Sequence, residues 1–168
     1  EVDVNHIYTA AFASASYLSA IGFNNTHGST TTKDGSSSSN KKIYVVGEQG
    51  LVRELEECDV GDIVGGVYEA VSCTSSDWEE MHEWTGGDAE NDHDDDSRVD
   101  AVVVGQDTSF TFAKLAYASY LIQKGAKFIA TNPDAGERLG KENLLMTGAG
   151  AIVKAIETAS GRSPDVIC

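Results

Sequence analysis

The feature that most constrains this chain is a pair of short, almost unbroken apolar runs with a helix-length segment between them. Val99–Gly105 reads VDAVVVG and Lys127–Ala130 reads KFIA. Short runs rich in β-branched residues predict strands, and near-continuous apolar character predicts burial on both faces, as in a parallel sheet. Parallel neighbours cannot be joined by a tight turn; the connection crosses the sheet, usually as a helix. Residues 110–124 supply it. Phe110, Ala113, Tyr117 and Leu121 share one helical face, Ser109 stands where an N-cap is expected, and Gly125 follows as a stop.

The same alternation extends to the rest of the chain. Ile7, Ala11, Leu18 and Ile21 predict a helix over 5–21, ended by Gly22. Residues 24–40 are rich in Ser, Thr and Asn and read as loop. Lys42–Gly47 (KIYVVG) predicts a third buried strand, followed by a helix over 48–58 with Leu51, Val52 and Leu55 turned inward. Residues 59–71 are ambiguous because Gly61, Gly65 and Gly66 suggest turns. Residues 72–98 form an acidic insertion, mostly loop, in which Trp78, Met81 and Trp84 offer one anchored helical turn. A loop over 131–147 leads to a last helix over 150–160, closed by Gly161 and Pro164, and residues 165–168 begin another strand. This order predicts an α/β fold, a mostly parallel sheet with flanking helices, doubly wound in the flavodoxin-like manner.

Charge narrows the partners. The formal charge is −15, and Asp77–Asp100 holds eleven acids against one base, a net of −10. The chain therefore carries an acidic loop rather than an acidic fold, and it lacks the basic face that nucleic acid requires. No apolar run approaches the roughly 18–20 residues that span a bilayer, so no membrane is expected, and no secretory leader is visible. Cys58, Cys73 and Cys168 show no metal-ligand spacing and fit a reducing compartment, the cytoplasm or an organelle interior. His82 and His93 lie among acids without the spacing of a closed metal site.

Ligands of open α/β sheets collect at the carboxyl ends of strands. Thr131, Asn132 and Asp134, following KFIA, are placed there, although Asn132-Pro133-Asp134 is also a good turn. Arg138 and Lys141 are the nearby cations for an anionic substrate, Lys141 reading better as solvated loop. Gly148 and Gly150 open the final helix, where free backbone N–H groups suit an anion; tight loop–helix packing is the alternative. Glu48 and Asp107, at two other strand ends, are expected to cap helices.

Four segments together resemble the haloacid dehalogenase superfamily, in its large-cap branch of small-molecule phosphatases: Tyr8–Phe23, Lys42–Glu57, Val99–Asp134 and Thr147–Cys168. They follow the family's order, with Thr147 standing where the family usually has Pro before its Gly-x-Gly. The resemblance implies the cap domain of a phosphatase acting through an aspartyl-phosphate and Mg²⁺ on small phosphorylated substrates such as phosphoglycolate or 4-nitrophenyl phosphate. The nucleophile in such enzymes belongs to an Asp-x-Asp pair at a strand end; here the closely spaced Asp92, Asp94, Asp95 and Asp96 fall in the acidic insertion instead. The resemblance places that pair upstream of Glu1 and a Gly-Lys-Pro lysine after Cys168, so the chain alone is expected to be inactive and Mg²⁺ to be held by the catalytic core. It implies a core-to-cap junction over 1–41, a cap over 42–164, and a strand at 165–168 returning to the core. It also makes Thr131, Asn132, Asp134, Arg138, Gly148 and Gly150 the substrate-facing set, and it implies homodimers formed through the cap. The competing expectation is a non-catalytic α/β module that binds a partner or a small anion, with the acidic insertion as its interaction segment.

Overall fold

The computed structural model describes residues 8–25, 40–65 and 98–168. Five strands build one parallel sheet: β1 (Lys42–Val46), β2 (Asp62–Gly65), β3 (Val99–Val104), β4 (Lys127–Ala130) and β7 (Val166–Ile167), in the order β2-β1-β3-β4-β7. This is the doubly wound arrangement that the alternation predicts. Among the described residues four helices flank it: α1 (Ala10–Ala20), α2 (Gln49–Glu57), α3 (Phe112–Gln123) and α4 (Ala149–Ser160).

The two faces of the sheet divide the strand residues by parity, because successive side chains point to opposite sides. Ile43, Val45, Ala101, Val103 and Ile129 pack with Leu18 of α1 and Leu51 and Leu55 of α2. Tyr44, Val46, Val102, Val104 and Phe128 pack on the other side with Tyr117 and Leu121 of α3 and Ile152 and Ile156 of α4. Both parities are apolar, which is why these strands read as continuous runs. The rings of Tyr44 and Tyr117 meet edge to face, with centroids 4.8 Å apart.

Several boundaries differ from the sequence reading. Helix α1 starts at Ala10, because the Thr9 side chain accepts the Phe12 N–H and sets the first turn there; residues 5–7 of the expected helix lie outside the described residues. Ser109 is not the N-cap of α3. Its own N–H is bound by Asp107 Oδ1 at 2.8 Å, and Thr111 caps instead, accepting Lys114 N–H at 3.2 Å. The ambiguous stretch after residue 59 yields strand β2, paired with β1 from Lys42↔Asp62 to Val45↔Gly65.

The helix of the expected junction packs directly on the sheet of the expected cap. Ala15, Leu18 and Phe23 lie in the same core as Ile43 and Leu55. Residues 166–167 of the expected return strand pair with β4 at the edge of this sheet. Arg162 pins that edge: Nη1 donates to the Ile122 carbonyl in the last turn of α3, and Nη2 donates to Asp165 Oδ1. Asp165 Oδ2 in turn accepts the Phe128 N–H of β4 at 2.8 Å. The tryptophan-bearing turn expected in the acidic insertion, together with His82, His93, Asp92 and Asp94–Asp96, lies outside the described residues.

The expected loop over 131–147 is partly a two-stranded antiparallel ribbon, β5 (Gly136–Leu139) and β6 (Leu144–Thr147). Gly136 is obligatory at its base. Its φ is 152°, and a Cβ there would fall 1.7 Å from the Met146 carbonyl oxygen.

Candidate functional site

Strands β1, β3 and β4 end side by side, and their ladder continues one residue further. Gly105 N–H donates to the Val46 carbonyl at 2.8 Å, and Thr131 N–H donates to the Val104 carbonyl at 2.9 Å. The sheet order reverses between β1 and β3. After β1 the chain crosses to β2 with α2 on one face; after β3 it crosses to β4 with α3 on the other. Such a switch point leaves a crevice outside the carboxyl ends, where open α/β sheets bind ligands.

Here the crevice has a volume of about 270 Å³ and is bounded by the first turn of α1, Leu51, Glu48, Gln106 and Thr131. The bare Gly105 keeps it open. A Cβ at that position would meet Leu51 Cδ2 at 3.1 Å and Thr131 Oγ1 at 3.3 Å.

Thr131 therefore lines the crevice, buried to 5% exposure. Asn132 is half-buried beside it, its Nδ2 donating to Thr131 Oγ1 at 3.4 Å. Asn132 Oδ1 also accepts the Asp134 N–H at 3.1 Å, so the turn expected from Asn-Pro-Asp is present and leaves the Asp134 carboxylate exposed. Arg138 stands apart, on β5, where Nη1 donates to the Asn143 carbonyl at 3.0 Å across the ribbon's own turn. Lys141 is exposed in that turn.

The backbone role expected of Gly148 and Gly150 is not what the structure shows. Gly148 N–H donates to the Ala135 carbonyl at 2.9 Å and Gly150 N–H to the Asp134 carbonyl at 2.8 Å, so neither amide is open to an anion. Their geometry is the tight-packing alternative. A Cβ on Gly150 would lie 2.2 Å from the Pro133 carbonyl oxygen, and one on Gly148 would lie 2.8 Å from that of Asp134. The two glycines hold the Asn132–Asp134 turn against the start of α4.

Glu48 and Asp107 also depart from their expected roles. Glu48 occupies the N-cap position of α2 without a side-chain cap bond; its Oε1 accepts the Thr108 N–H at 3.3 Å and so links the β1 and β3 loops. Asp107 forms a buried ion pair with Lys114, Oδ2 to Nζ 2.6 Å, the two side chains 2% and 3% exposed. The β3–α3 loop that carries Gln106 is thus tied from both sides. Lys114 was passed over in the sequence, although it lies four residues after Phe110 and three before Tyr117, on the helical face those residues share. Gln106 was missed because it bears no charge; its position directly after a strand glycine was the available signal.

Among the described residues no group of three or more His, Cys, Asp or Glu side chains is arranged to hold a metal ion. Asp107 is neutralised by Lys114, and Glu48 and the exposed Asp134 do not gather with a third such ligand, so these residues do not fit a resident Mg²⁺. Burial, with Glu54 and Glu57 close by, pushes the Cys58 thiol up and leaves it a poor nucleophile. Among the described residues no helix is long and apolar enough to cross a membrane.

A doubly wound domain with a polar crevice at its switch point is a ligand-facing α/β module, and the comparisons say of which kind. No protein-family model matches the chain. A chloroplastic phosphoglycolate phosphatase of Arabidopsis thaliana is 33% identical over 168 residues, covering 99% of this chain and 39% of that enzyme. An acid sugar phosphatase of Staphylococcus haemolyticus is 41% identical over 73 residues, covering 44% of this chain and 27% of that protein. The crystal structure of a hypothetical protein from Pyrococcus horikoshii superposes with a TM-score of 0.62 at 30% identity, covering 98% of this chain and 47% of its own. The chain belongs to the haloacid dehalogenase superfamily, in its cap-containing branch of phosphatases. It spans about two fifths of the length of the plant enzyme it matches.

Proposed function

We propose that this chain is the substrate-specificity cap of a Mg²⁺-dependent phosphoric monoester hydrolase that acts on small phosphomonoesters through an aspartyl-phosphate. The observation that carries this reading is the polar crevice at the carboxyl ends of β1, β3 and β4, in a chain that aligns over 99% of its length with part of a phosphatase. In this reading the crevice receives the leaving group, while the phosphoryl group and Mg²⁺ are held by a catalytic core outside these residues. The chain's own residues do no bond-breaking. Thr131 and Asn132 present a hydroxyl and an amide at the end of β4, Asp134 extends the same turn, and Gly148 and Gly150 let it pack on α4. Arg138 belongs to the ribbon rather than to the crevice wall. When bound, Mg²⁺ would neutralise phosphate charge during transfer. The reading also implies cytoplasm or an organelle interior; the plant relative is chloroplastic.

The test has two arms. The isolated 168-residue chain, incubated with Mg²⁺ and 4-nitrophenyl phosphate, is expected to show no turnover above background. Exchanging it for the matching segment of the Arabidopsis enzyme is expected to give a hydrolase. Robust Mg²⁺-dependent turnover by the isolated chain, or an inert but folded chimera, overturns the reading.

Pairing of two caps is part of the same proposal. It is supported by the β5–β6 ribbon, on which Leu144, Leu145 and Met146 are each more than half exposed. Light scattering is expected to report a dimer that Leu144→Ser with Met146→Ser dissociates.

A further inference from the structure

The wall of the crevice is informative about what it rejects. Its polar groups are the Glu48 carboxylate, the Gln106 amide and the Thr131 hydroxyl, with Leu51 and the alanines of α1 supplying apolar surface. Neither Lys nor Arg lines it among the described residues. The nearby cations are otherwise engaged, Lys114 in its buried pair with Asp107 and Arg138 with the Asn143 carbonyl. Glu48 is held at the mouth by the Thr108 amide through Oε1. A carboxylate-bearing leaving group seated here would meet the Glu48 negative charge with no counter-ion beside it; Glu48 is itself exposed, so the repulsion at ~4 Å is about 1 kcal/mol in water and grows where a covering core excludes solvent. A hydroxyl-bearing group meets complementary partners instead. It can donate to Glu48 and both donate to and accept from Gln106 and Thr131. A volume of about 270 Å³ suits a group of a few carbons, below the roughly 300 Å³ at which drug-sized pockets begin.

We propose that the switch-point crevice selects phosphate esters of small neutral polyols over esters whose leaving group carries a carboxylate, with Glu48 and Gln106 as the specificity-determining residues. This rests on the reading of the chain as a leaving-group cap. The chimera with the Arabidopsis catalytic core supplies the test, using glycerol phosphate and phosphoglycolate as paired substrates and the unexchanged parent as control. The exchanged cap is expected to favour glycerol phosphate by at least about tenfold in kcat/KM, equivalent to about 1.4 kcal/mol. Glu48→Gln is expected to shrink that ratio, mainly by lowering the KM for phosphoglycolate, and Gln106→Arg to reverse it. A chimera that hydrolyses both esters yet prefers phosphoglycolate overturns the specificity inference and leaves the cap reading standing. A folded chimera inert toward every ester overturns both. Because an exchanged segment can misfold, the isolated chain is also titrated with glycerol and with glycolate while the Gln106 side-chain amide is followed by NMR. Glycerol is expected to shift it and glycolate not; an equal or larger response to glycolate overturns the inference.

Discussion

Lys114 shows how far one side chain can depart from its type. Lysine is almost never fully buried unless paired, and here the pair is Asp107, with both side chains almost out of solvent. Attraction in such a place roughly offsets the cost of removing two charges from water, so the pair adds little net stability. Removing one partner is different, because the other charge is left buried and alone. Lys114→Met is therefore expected to destabilise the domain by about 3–5 kcal/mol, and Lys114→Met with Asp107→Leu by clearly less. Urea denaturation of the two variants against the parent measures both values.

At the scale of elements, the caps decide where the helices begin. Helix α3 carries two plausible N-cap residues two positions apart, and only Thr111 accepts an N–H of its first turn. Thr111→Ala should cost about 1 kcal/mol, and Ser109→Ala much less, since the Ser109 contact runs through its backbone N–H to Asp107. Comparing the denaturation midpoints of the two variants checks the assignment. The β5–β6 ribbon illustrates the opposite limit. Four-residue strands with exposed side chains on both sides have no buried face to impose a period-two pattern, so they read as loop.

At the scale of the whole molecule, pH acts through the few groups whose proton affinity changes on folding. Lys154, then Ser163, hydrogen-bond Glu157 and hold its carboxyl below the ordinary glutamate range. A depressed folded value means that the unfolded chain binds the proton more readily. The contribution to stability is full above the unfolded value of about 4.3 and is lost as pH falls through the lower folded value. Thermal midpoints recorded between pH 6 and pH 3 should drop more steeply for the parent than for Glu157→Gln. The same contacts tie the end of α4 to Ser163, in the segment leading to β7, so the loss should appear first at that edge of the sheet.

The sequence by itself determined the layers. Val99–Gly105, Lys127–Ala130 and Lys42–Gly47 are apolar at both parities, and that pattern permits little besides strands covered on both sides by helices. It also determined the family, through segments whose order matches the phosphatases. The site was only half legible. Thr131 and Asn132 could be placed because strand ends are visible in sequence, whereas Gln106 and Glu48 acquire meaning only when β1 and β3 become neighbours, and residues 48 and 106 are far apart along the chain. Tertiary structure alone decided that Gly148 and Gly150 donate their amides to Ala135 and Asp134, that Lys114 finds its counter-charge in Asp107, and that residues 166–167 pair with β4. The reason is common to all of these. Periodicity reports which face of an element is apolar, but a hydrogen-bond partner or a counter-charge distant in sequence is fixed only by the packing that brings it within 3 Å.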